Sequence, residues 1–233
     1  MIISQKKSTL IRMKPKTSPT QKVLNTWAII LIIWSIYRAK FQTNLPLWLD
    51  EFIAKPLVFL LPVYYFITRV EKKEFFSGID FKPKIKMSDI LIGSSIGFIF
   101  FLSGVLSNYV KYKTIIPASG NTLTLGIIVL YIFVSLATSI SEEVLSRGFV
   151  LKRLYEDSKN IFTSSFLASI LFFFLHVPIL FTSQKIIGFL LLRVMVTDMI
   201  LSLAISILYL QRRSLIIPIL IHAFYNLSIY LFL

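Results

Sequence analysis

Residues 124–148 read TLGIIVLYIFVSLATSISEEVLSRG, an apolar run of bilayer length ending on two adjacent carboxylates, Glu142 and Glu143, with Arg147 four residues further on. About 20 mainly apolar residues cross a bilayer as a helix. Ionisable groups at that depth cost about 2.5–3.5 kcal/mol each on insertion scales, so they are functional candidates by default.

Comparable runs fill the chain, at 23–38, 52–69, 89–110, 124–146, 161–180, 186–210 and 214–233. The sequence is 56% hydrophobic and 15% charged, whereas soluble domains carry about 25% charge. The pattern predicts an all-α fold, a polytopic transmembrane helical bundle of about seven (seven or eight) spans. A transmembrane barrel would alternate in ten-residue strands, and these runs are continuous. The first run is short, as a tilted or partly interfacial helix would be. There is no cysteine, which excludes disulfides and thiolate catalysis.

The formal net charge of +14 raises nucleic acid as a partner. The basic residues cluster between apolar runs, however, where the positive-inside rule and membrane lipids account for them, so no nucleic acid is expected. Lys and Arg number six in the tail 1–22, six in 69–88, four in 147–160 and two in 211–213, against five in the alternate connections. The N-terminus is therefore expected in the cytoplasm and, with seven spans, the C-terminus outside, in a protein of the cell membrane. Arg38-Ala39-Lys40 after the first run does not read as a signal-peptidase site, so that run is expected to stay as a span. Three regions result: a basic cytoplasmic tail 1–22, N-terminal transmembrane helices with a cytoplasmic loop 23–123, and a core 124–233.

Local signals add detail. Lys55 and Pro56 open the second run, where a lysine can snorkel to the headgroups. Residues 71–88 form a basic, aromatic-bearing loop, and Ser88-Asp89 are placed to cap the third span. Gly93, Gly97 and Gly104, with Ser94, Ser95 and Ser103, give that span a small face suited to close helix packing.

On a helix Glu143 and Arg147 pair at i,i+4, and Glu142 is rotated about 100° away, free to face elsewhere. A carboxylate between low-dielectric walls is a candidate general base. Only two histidines occur, and both sit in apolar runs: His176 four residues after Phe172, and His222 four residues before Asn226. Polar groups on one face of an apolar helix point into a bundle. If the fourth helix continues through Lys152, Glu142 lies about 15 Å from its basic end, and His222 at similar depth. His176, about 24 Å from Asn160, is level with them only if its helix begins outside the bilayer.

The ordered set Glu142-Glu143-x-x-x-Arg147, Phe172-x-x-x-His176 and His222-x-x-x-Asn226 resembles the signature of the CPBP family (CAAX protease and bacteriocin-processing, or Abi). That family of intramembrane endopeptidases includes the Rce1-type prenyl proteases. The resemblance covers about 124–233. Ser146 departs from it, standing where the family usually has an aromatic. The resemblance implies catalysis by Glu142, His176, His222 and Asn226, supported by Glu143, Arg147 and Phe172. Glu142 with His176 would activate water, while His222 and Asn226 would stabilise the oxyanion. No metal is expected; zinc on His176, His222 and a glutamate is the runner-up. The implied substrate is a membrane-associated or lipidated peptide or protein, cut near the cytoplasmic face. The alternatives are a non-proteolytic Abi-family protein serving bacteriocin self-immunity or scaffolding, and a small transporter using Lys55, Arg193 and Asp198. Outside the transporter reading, those three residues have no assigned chemistry.

Overall fold

A computed structural model describes residues 17–40, 46–81, 85–117, 123–182 and 188–232, with backbone alone at 179–182, 188–191, 193 and 194. Seven long helices follow in order: α1 Pro19–Lys40, α2 Leu47–Val70, α3 Met87–Tyr112, α4 Leu125–Ser158, α5 Ile161–Thr182, α6 Gly188–Arg212 and α7 Ile216–Phe232. Among the described residues, five segments are long and apolar enough to cross a membrane: Leu47–Val70, Met87–Tyr112, Leu125–Ser158, Ile161–Pro178 and Met195–Arg212. α7 is a shorter apolar helix, and α1 is not among the five. The protein is a helical membrane bundle.

Two helices carry wide turns. α2 opens with a π-helical turn over Asp50–Ala54, closed by Lys55 N–H on Asp50 O. Pro56 has no N–H for Phe52 O and its ring crowds that carbonyl, so the turn ahead of it widens. α4 passes from α to π geometry at Glu143, and Val144–Leu151 are π-helical. Such turns are rare and recur at functional sites.

The connection from α4 to α5 sets the depth of the core. α4 continues past Lys152 to Ser158. It then reverses through Lys159, in the left-handed region at φ 56°, and Asn160, whose side chain accepts from Thr163 N–H at 3.0 Å. Counting from this turn, Glu142 lies sixteen residues before Ser158 and His176 fifteen after Ile161, about 24 and 22 Å along their helices. The depth mismatch expected for His176 is removed by the longer α4.

The glycine face of α3 seats α7. A Cβ on Gly97 would lie 2.7 Å from Phe224, one on Gly104 would lie 2.6 Å from Ser228, and one on Gly93 would lie 3.1 Å from Leu220. Only glycine lets the two helices approach this closely. The capping expected of Ser88 and Asp89 is not made. The N-cap is Lys86, without a side-chain bond, and Ser88 and Asp89 instead accept from Arg212, at 2.9 and 2.7 Å.

The basic segments gather at one end. Arg153 makes a two-point pair with Glu71, at 3.0 and 2.7 Å. Asp80 accepts from Lys152 at 2.5 Å, Tyr209 at 2.8 Å and Arg213 at 3.4 Å. Thr20 bonds Asp157 at 2.8 Å. Burial pushes the Glu71 carboxyl up, but the Arg153 bonds and charge outweigh it and hold the group below its usual range.

Candidate active site

Residues from α2, α4, α5 and α7 meet at mid-bundle. Along α4, Thr138, Ser139, Glu142 and Glu143 are buried on the packed side of the helix. Glu143 Oε1 accepts from Arg147 at 2.8 Å, the pairing that helical spacing predicts. The pair is 0% and 1% exposed. Arg147 also donates to Ser202 O and Oγ on α6, at 3.1 and 2.7 Å, and its guanidinium lies 4.5 Å from the Phe172 ring centre on α5. One cation thus ties three helices together.

The histidines are oriented by what their Nδ1 atoms touch. His222 Nδ1 is 2.7 Å from Glu143 Oε1, and His176 Nδ1 is 3.2 Å from Phe172 O. Both neighbours only accept, so both Nδ1 atoms donate, and a neutral imidazole then presents its lone pair at Nε2. Both Nε2 atoms face Glu142 Oε2, at 3.7 Å from His176 and 3.6 Å from His222. That carboxylate oxygen is buried and has no hydrogen-bond partner. The three residues line one cavity, and a water placed between Oε2 and either Nε2 would be within hydrogen-bond reach of both. Phe172 packs its ring 4.7 Å from that of His176 and 5.8 Å from that of His222. Asn226 donates to Ser139 Oγ at 3.3 Å and lines the same cavity.

The sequence reading missed one arm of the site. Lys55 does not snorkel: it is 4% exposed, and its Nζ lies 2.9 Å from Glu142 Oε1 and 2.5 Å from Glu51 Oε2. Thr138 donates to the same Glu51 oxygen at 2.7 Å. The legible signal was Glu51-x-x-x-Lys55, an i,i+4 pair at the mouth of an apolar run. Glu142 is therefore flanked by a cation as well as by Glu143. Asp198 accepts from Tyr225 at 3.0 Å; the side chain of Arg193 lies outside the described residues.

A cavity of about 310 Å³ joins these groups, within the range of ligand sites. Its wall includes Arg38, Leu47, Ile229 and Tyr230, which lie at the helix ends away from the basic segments. The expectation of a site near the basic end is revised accordingly: the cavity extends from mid-bundle toward the other end. Among the described residues, no group of three or more His, Cys, Asp or Glu side chains is arranged to hold a metal ion. An ammonium 2.9 Å from Glu142 also opposes a second cation there.

No curated protein matches the chain. Residues 124–228, the segment that carries Glu142, His176, His222 and Asn226, match the family described as type II CAAX prenyl endopeptidase Rce1-like. The match covers a little under half of the chain and agrees with the CPBP resemblance: residues 124–228 are similar to the Rce1-like type II CAAX prenyl endopeptidases.

Proposed function

We propose that the protein is an intramembrane endopeptidase that hydrolyses a peptide bond of a membrane-associated or lipid-modified substrate, with water activated by Glu142 and His176 and without a metal. The observation that carries this reading is the convergence of the unpartnered Glu142 Oε2 with two histidine Nε2 atoms, 3.6 and 3.7 Å away. Water between them gives its hydrogens to Glu142 Oε2 and His176 Nε2. As its oxygen attacks the scissile carbonyl carbon, one proton passes to Glu142. The developing oxyanion is met by the Asn226 amide and by His222 carrying a proton on Nε2, with Glu143 holding the charge at Nδ1. Collapse of the tetrahedral species breaks the C–N bond, and the proton from Glu142 goes to the leaving amine. The hydrogen still on the attacking oxygen passes to His176 Nε2, so the products are one carboxylate and one amine. The membrane is proposed to be the cell membrane, with the basic end in the cytoplasm.

The test uses the full chain in liposomes and an internally quenched peptide bearing a farnesylated cysteine near its C-terminus, the substrate class in the family's description. Glu142→Gln is expected to lower turnover about 10³-fold, within the range of general-base losses, with His176→Ala and His222→Ala also severely impaired. Cleavage should survive exhaustive chelation. Loss on chelation with recovery on adding zinc would replace the metal-free mechanism with a zinc one on His176, His222 and Glu142. Wild-type rates from inserted Glu142→Gln would refute Glu142 as the general base, and no cleavage by the inserted wild type would leave a binding or self-immunity role.

A further inference from the structure

Lys55 lies outside the matched domain, on α2, yet it is the closest cation to Glu142. The two oxygens of Glu142 are in different situations. Oε1 accepts from Lys55 at 2.9 Å, while Oε2 has no partner and faces the two histidines. Lys55 is itself fixed from behind by Glu51 at 2.5 Å, one turn earlier on α2. Glu51 in turn accepts from Thr138, one turn before Glu142 on α4. The ring Glu51–Lys55–Glu142–Thr138 therefore closes across two helices, and the π-helical turn over Asp50–Ala54 sets the register of its α2 side.

We infer that Lys55 is a positioning residue for the hydrolysis, acting through Glu142: it occupies Oε1 and so commits Oε2 to the water. The inference rests on the proposed general-base role of Glu142. Charge supports it as well. Glu51, Glu142 and Glu143 face Lys55 and Arg147 in one buried cluster, three carboxylates against two cations. With the cation that His222 carries in the proposed mechanism, three carboxylates face three cations and the cluster is neutral. Without Lys55 it would rest at one negative charge, and Glu142 could turn either oxygen to any donor in the cavity. A buried lysine serving only to neutralise Glu51 would need no second carboxylate on another helix.

The test separates positioning from simple charge balance. Lys55→Met is expected to lower kcat on the farnesylated peptide about 100-fold with KM within about twofold, the scale of a misplaced reacting group. Because that variant strands both Glu51 and Glu142, it is paired with Lys55→Met/Glu51→Leu, which removes the Glu51 charge and leaves Glu142 alone without its cation. The double variant should melt above Lys55→Met and stay about 100-fold slow, while Lys55→Arg restores part of the rate. Recovery of wild-type kcat in the double variant would overturn the inference and leave Lys55 a neutraliser of Glu51. A second measurement does not depend on turnover. The melting-temperature losses of Lys55→Met and Glu142→Gln should be less than additive when combined, because the two remove one interaction; strict additivity would overturn the inference. Failure of the Glu142 reading is separate, since only that failure leaves Glu142→Gln as active as wild type.

Discussion

At the residue scale, the site is built on one buried ion pair. Arg147 neutralises Glu143, and Glu143 orients His222 at 2.7 Å. Removing one partner of a buried pair strands the other charge, at about 3–5 kcal/mol, whereas replacing both with neutral groups is often tolerated. Arg147→Met is therefore expected to melt far below wild type in detergent, with Arg147→Met/Glu143→Gln regaining much of the loss. A single variant as stable as wild type would contradict this account. These residues were legible because ionisable groups inside apolar runs are costly and rare. Lys55 was misread for a physical reason: at the start of a run, beside Pro56, a lysine has the headgroups within reach. Only the partner on α4, eighty-seven positions away, makes it a buried ion. No local pattern contains that contact.

At the element scale, the seven apolar runs correspond to seven helices because length and hydropathy are local properties. What escaped the reading depends on tertiary packing or on the backbone. The extension of α4 to Ser158 crosses charged residues that become buried against the 71–81 segment, with Lys152 and Arg153 only 8% and 6% exposed. The π-helical turns leave no periodicity in the side chains. The small face of α3, by contrast, was plain in the sequence, and its effect can be measured. Gly97→Val would drive a Cβ to 2.7 Å from Phe224 and 3.1 Å from the Leu220 carbonyl, forcing α7 outward. Overpacking of this kind costs about 1–3 kcal/mol. It should also lower turnover, because His222 lies on α7 between Leu220 and Phe224. Gly126→Ala on α4, where a Cβ meets nothing closer than Thr124 at 4.0 Å, should leave both melting and turnover unchanged.

At the scale of the whole molecule, the charge pattern and the fold agree on which segments share an end. The contacts of Thr20 with Asp157, Arg153 with Glu71, Asp80 with Lys152 and Arg213, and Asp89 with Arg212 join the four basic regions that the loop counts had grouped. The far end is marked by Asn108, which donates to the Ile116 and Phe232 carbonyls at 2.9 and 2.6 Å. Where the cavity runs was not legible, because it follows from which helix ends surround it, and it extends away from the basic end. If the basic end is cytoplasmic, substrate reaches Glu142 from within the bilayer or from the outer side. Since the chain has no cysteine, single cysteines report this directly. Ser77→Cys and Glu156→Cys should resist a membrane-impermeant maleimide in intact cells and react after permeabilisation. Lys40→Cys and Ile115→Cys, exposed at the opposite end, should react in both. The reversed pattern would place the basic end outside and turn the cavity toward the cytoplasm. Unequal labelling of Ser77→Cys and Glu156→Cys would break the grouping of the basic segments itself, and with it the level alignment of Glu142 and His176 measured from the α4–α5 turn.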